Sequence, residues 1–315
     1  MTSALQGPAP VLAVVLFEIA LGSLALLWVA PLWGVVRPGF FKLVGATVVA
    51  CALLAFAAGR TELEAAGADG RAAARWLGAF ALAVLAWQVL LYANRGSGGL
   101  KSEAPTRAAG AQLEPSGSPP VDKGSGGLKS EAPTRAAGAQ LEPSGSPPVN
   151  KRSVARWAGV AAVLPGLAVV WPLAALSGRP LGGTVALLTG ALFLGATTDG
   201  LLLGHWYLVD RRLSNRPILA LATWLIVGVA AALVSASLGG ERGGRIDQSL
   251  SPLLAFPNLT VWLAVGLVLV CALLAGFIRV LVRGGSIQAA TGMFYLAVVM
   301  ALAAEFAAKV YFFQA

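Results

Sequence analysis

The chain reads as an all-α membrane protein, a polytopic bundle of about eight transmembrane helices with a disordered cytoplasmic loop. Three observations predict this. Of 315 residues, 57% are hydrophobic and only 12% are charged, and the mean hydropathy is +0.76. Soluble domains carry roughly a quarter charged residues, and disorder requires the opposite bias. Apolar stretches approaching or exceeding the ~20 residues that cross a bilayer recur along the chain. The basic residues lie between those stretches, so the pI of about 10.2 reports orientation in a membrane and not nucleic-acid binding.

The first helix is expected over residues 10–33. It is read as a retained span, because MTSALQGPAP lacks the basic region of a secretory signal. The second and third, at 40–58 and 76–93, are the shortest and complete a first group within 1–93. A long loop, 94–152, follows. In it, residues 96–123 and 124–151 repeat one 28-residue segment, differing only where Asp122 becomes Asn150. Gly, Ser, Pro, Ala and mixed charges dominate both copies, and neither has an apolar face to bury or stack. A length-tolerant disordered linker is the expectation.

The second group, 153–315, holds five helices, and no internal symmetry is expected between groups of three and five. The fourth helix, 157–176, contains Pro165–Gly166 at its middle and Pro172 near its end, where a kink or unwound turn is expected. The remaining spans are 181–206, 217–238, 258–279 and 288–311. The loop from Gly239 to Asn258 is glycine-rich but has no GK[ST], so it reads as a flexible turn and not a phosphate loop.

Cytoplasmic loops hold the excess of Lys and Arg. Of the 23 basic residues, 16 fall on one side of the eight spans and 7 on the other. This places the chain in the plasma (inner) membrane with both termini outside and the 94–152 loop in the cytoplasm.

Ionisable side chains inside lipid are costly and mark candidate sites. Glu18, Asp199, Glu305 and Lys309 are such residues, and together they form the candidate proton or substrate site. Glu305 and Lys309 are one turn apart and share a helix face. Glu18 can meet either if the first and eighth helices are neighbours. The plainer alternative is a charge-neutral clasp. A lone carboxyl such as Asp199 is cheapest in lipid as a neutral hydrogen-bond donor across the small-residue seam Ala196, Gly200, Gly204. That seam is also a candidate contact for a membrane-protein partner.

His205 is the one histidine in the chain. With Trp206, Tyr207, Arg211 and Arg212 it ends the fifth helix, either as an interfacial anchor or as a contact for a lipid headgroup or quinone. One histidine cannot supply bis-histidine haem ligation or HExxH, and Cys51 and Cys271 sit in apolar runs without metal spacing. No metal and no cofactor are expected, and membrane lipids are the expected surroundings. No GxSxG or nucleotide motif is present, so an enzyme is not expected, and no motif is specific enough to mark a known family. Two functions fit: small-solute or proton-coupled transport, and a non-transporting subunit or scaffold of a larger complex. Transport requires at least two of the acids at one water-reachable cavity.

Overall fold

The computed structural model describes residues 5, 7–30, 32–33, 35–93, 151–209, 213–239, 259–310 and 312–313. The duplicated linker, Asp210, Arg211, Arg212 and residues 240–258 lie outside the described residues. Every regular element among those described is an α-helix: α1 (Pro8–Val29), α2 (Pro38–Ala65), α3 (Ala68–Ala93), α4 (Lys151–Ala175), α5 (Pro180–Val209), α6 (Arg216–Gly239), α7 (Leu259–Arg283) and α8 (Ile287–Lys309). All eight are long and apolar enough to cross a membrane. The chain is a multi-pass helical membrane protein.

The second and third spans are longer than their apolar cores suggest, at 28 and 26 residues. Their charged ends fail a hydropathy window yet favour helix, and Arg60 pairs with Glu64 one turn on at 3.3 Å on the exposed surface. The two helices are joined at Ala66–Gly67, where Gly67 has φ +98°. A Cβ is strained in that left-handed region, so glycine reverses the chain there at least cost.

The fourth span differs from expectation in its interior. α4 runs unbroken through Pro165 and Pro172, so no unwound turn forms. A proline forfeits one backbone hydrogen bond, and a membrane helix tolerates that when neighbours pack around it. Gly166 serves that packing: a Cβ there would lie 2.8 Å from Leu21 and 3.0 Å from Phe80.

The helices pack as four and four, although the long loop falls between three and five. Within α1–α4 each helix packs on the next and α4 returns to α1; α5–α8 repeat this pattern, with α8 returning to α5. α1 lies on α5, and the cross-contacts α4 on α5 and α8 on α1 exchange when the two sets are exchanged. The two sets of four thus share most of their neighbour pattern, although α2 also touches α5 and α6 has no matching contact of that size with α1.

α1 is the central element, buried over 78% of its membrane-crossing length against 33% for α3, α7 and α8. Lipid supplies no hydrophobic drive between helices, so close approach depends on small residues. A Cβ on Gly22 would collide with the Ala191 carbonyl oxygen, and one on Gly195 with the Gly22 backbone. The Ala196, Gly200, Gly204 seam is closed within the chain: Ala196 is fully buried, and Phe294 and Thr291 of α8 lie over Gly200 and Gly204.

Gly195→Leu is expected to abolish the folded species. Gly266→Leu, where nothing lies within 4 Å of an added Cβ, should leave it intact. Size-exclusion profiles of the two variants in detergent check this; a monodisperse Gly195→Leu protein contradicts the backbone contact.

Candidate functional site

Glu18 lies halfway along α1, fully buried. Its carboxyl rests on the α5 backbone at Gly190, where an added Cβ would lie 2.6 Å from Oε1. α8 runs antiparallel to α5 and brings Lys309, its last residue, to the same place. Lys309 Nζ reaches Glu18 Oε1 at 2.8 Å, Glu305 Oε2 at 3.3 Å and the Ala186 carbonyl oxygen at 2.9 Å. An ammonium has three N–H donors; here one hydrogen bond goes to the Ala186 carbonyl, and the two carboxylates are held as ion pairs. Lys309 does not snorkel to the surface; it is 3% exposed. Glu18 Oε2 is buried and has no hydrogen-bond partner among the described residues. Two carboxylates face one ammonium, and among the described residues no other ionisable side chain acts on Glu18.

The Glu305–Lys309 side of this cluster forms the floor of a cleft of about 440 Å³ bounded by α5, α6, α7 and α8, with Glu18 buried behind it. Glu305 and Lys309 line it, together with Ser177 and Arg179 from the α4–α5 turn, Thr189 and Ser235. Its lining on α5 runs from Leu181 to Thr189, a depth of about 12 Å at 1.5 Å per residue. Hydrophobic residues form most of its wall, among them Val185, Val261, Ala264, Val265 and Val268.

The first four-helix unit holds the counterpart of this cleft, and it is filled. A void of about 10 Å³ lies among Pro10, Ala13, Val14, Phe17, Leu63, Leu77, Val169 and Leu173. Counted from the prolines that open α1 and α5, Phe17 matches Thr189 and Val14 matches Ala186. Phe17 is 1% exposed and packs edge-on against Phe80 at 5.9 Å. The two units thus differ at one equivalent place: an apolar plug in the first, an open cleft with a charged floor in the second.

Neither a family model, nor a curated protein, nor a solved structure matches this chain. The site is therefore read from its own chemistry.

Asp199 does not join the cluster. It lies nine residues beyond Gly190 on α5, about 13 Å along the axis, on the far side of the Gly22–Gly195 contact. It is fully buried. The Ser23 hydroxyl of α1 is the polar group facing it, yet no hydrogen bond of regular geometry closes between them.

The residues ending α5 also separate. His205 is exposed, whereas Tyr207 is buried and donates to the Ser214 carbonyl, closing the α5–α6 turn. Trp206 packs on Phe40 of α2 at 6.4 Å, beside the stack of Trp28 on Trp33 at 4.8 Å. The three side chains therefore present no common surface. Among the described residues, no three His, Cys, Asp or Glu side chains converge as a metal site would require.

Sequence reasoning placed Glu18 with Glu305 and Lys309 but missed Gly190, Thr189, Arg179 and Ser23. Small or uncharged residues carry no cost signal in a membrane helix. Thr189 stands out only after α1 and α5 are aligned on their opening prolines.

Lys309→Met leaves two buried carboxylates facing each other. Breaking a buried pair costs about 3–5 kcal/mol, so the variant should unfold at markedly lower denaturant than wild type. Adding Glu18→Leu should restore most of that loss. Unfolding in mixed micelles checks the cycle; additive effects would show that Glu18 and Lys309 do not interact.

Proposed function

We propose that this multi-pass membrane protein is a transporter of a small solute, coupled to protons, with the cleft among α5, α6, α7 and α8 as its solute site. The observation that carries the proposal is the difference between the two equivalent places. One unit fills the position with Phe17, Leu63 and Leu77; the other leaves about 440 Å³ above a buried ion cluster. Ligand sites are clefts of roughly this volume, mostly apolar with few polar groups.

Proton coupling is the reading that suits the floor. Glu18 and Glu305 outnumber Lys309, and a charge buried at that depth is costly unless balanced. Glu305 lines the cleft beside Lys309, and Glu18 lies fully buried behind them against Lys309, whereas Asp199 stands apart. In this reading Asp199 supports the α1–α5 contact. In this reading, which takes its orientation from the positive-inside bias, the cleft opens toward the outer face, where α1 and α5 begin.

The alternative, a non-transporting subunit, draws on Gly266, Gly276 and Gly292 of α7 and α8. Open space lies beside all three, room for a helix of another protein.

Proteoliposomes loaded with a pH-sensitive dye and offered small amines, carboxylates and neutral solutes in turn separate the two readings. The expected result is proton movement with at least one class, faster than in protein-free vesicles. Thr189→Phe, which copies the plug of the first unit, should fold and cut that movement at least tenfold. Glu18→Gln should reduce it as strongly, and Asp199→Asn should leave it within about twofold. Wild-type vesicles that match protein-free ones for every solute would exclude transport in favour of the subunit reading.

A further inference from the structure

We infer that the cleft takes a small organic cation, a protonated primary amine on an apolar body, and that it exchanges this cation for a proton. The inference rests on the carrier reading above and names its substrate class. Lys309 shows what the floor accepts: it is a primary ammonium on a flexible alkyl stem, held between two carboxylates and a backbone carbonyl at 2.8–3.3 Å. The ring of Phe312 lies 5.6 Å from its charge, an aromatic face of the kind that attracts cations.

The three donors of Lys309 do not exhaust the acceptors. Glu18 Oε2 is buried without a hydrogen-bond partner among the described residues, and Glu305 has a second oxygen at the cleft wall. A second ammonium entering the cleft meets the Glu305 carboxyl at its inner end, with Glu18 directly behind Lys309, while Val185, Val261, Ala264, Val265 and Val268 surround its body.

Charge excludes the opposite class. The floor carries two negative groups and one positive group, so an anion there adds to an uncompensated negative charge. Arg179 lines the same cleft, but it precedes α5, about 15 Å along the axis from Gly190. It is also partly exposed, where water screens its charge.

The same count dictates exchange. Glu18 and Glu305 face Lys309 from α1 and α8. Among the described residues, Arg179 is the remaining ionisable group lining the cleft, and no ionisable side chain of α2 or α4 acts on Glu18. One further positive charge balances the floor, and either a proton on a carboxyl or a bound ammonium supplies it. When one ammonium binds, one proton leaves, and no covalent bond other than the carboxyl O–H changes. The site's net charge is the same before and after.

Titration calorimetry on the full chain in lipid nanodiscs, run in two buffers of different ionisation enthalpy, tests this with benzylammonium as the probe. Saturable binding with release of one proton per amine is expected, and no binding of benzyl alcohol or benzoate. Glu305→Gln should weaken binding at least tenfold and abolish proton release. Lys309→Met removes the tethered competitor and should tighten benzylammonium binding at least tenfold, a gain that a misfolded chain cannot produce.

Binding of benzoate in place of benzylammonium overturns the substrate class and leaves the carrier reading standing. Amine binding with proton release, but without amine-driven proton movement in vesicles, upholds the class and overturns the carrier. Absence of amine binding in both wild type and Lys309→Met overturns the inference.

Discussion

The backbone contact of α1 with α5 is the constraint from which the rest of this molecule follows. Gly22 against Ala191 and Gly195 brings the two helices closer than any side chain would permit. That approach makes α1 the most buried helix and sets Glu18 on Gly190. Helices drawn together in lipid by packing alone need such small residues. With α1 and α5 fixed, α4 and α8 take equivalent places beside them. The carboxyl of Glu18 then has one cation within reach, the one at the end of α8.

The contact also divides the polar interior. Glu18, Glu305 and Lys309 lie on one side of it, with Glu305 and Lys309 at a cleft; Asp199 and Ser23 lie on the other. Between them the backbones touch at Gly22, Ala191 and Gly195. Charge and access are combined only at the second unit, because only there do Thr189 and Ala186 stand where Phe17 and Val14 fill the first.

Much of the architecture was legible from hydropathy. Eight spans are apparent because lipid requires long apolar runs, and the ends of α2 and α3 were missed because Arg60, Glu64, Arg71 and Arg75 break such runs without breaking a helix. The pairing of Glu305 with Lys309 follows from one helical turn, and that of Glu18 with Lys309 from the scarcity of charge in lipid. The four-and-four arrangement was hidden, since the long loop interrupts the first unit between α3 and α4 and directs attention to three and five. Pro165 suggested a broken helix because sequence reports a lost hydrogen bond without the neighbours that make the loss tolerable. Trp206 and Tyr207 are adjacent in sequence with His205, yet helical geometry turns each to different surroundings.

Buried ion pairs are weak grounds for a stabilising role, because removing charge from water offsets most of the Coulomb gain, and apolar replacements often serve as well. This molecule contains such a replacement. At the equivalent place in α1–α4, Phe17, Leu63 and Leu77 close the space to about 10 Å³ and are each at most 2% exposed. The same helix arrangement is therefore satisfied by an apolar plug, at lower electrostatic cost. A purely structural clasp would gain nothing by leaving about 440 Å³ open above three ionisable groups. The charged version of the position makes physical sense when the open space is occupied part of the time by something the charges recognise.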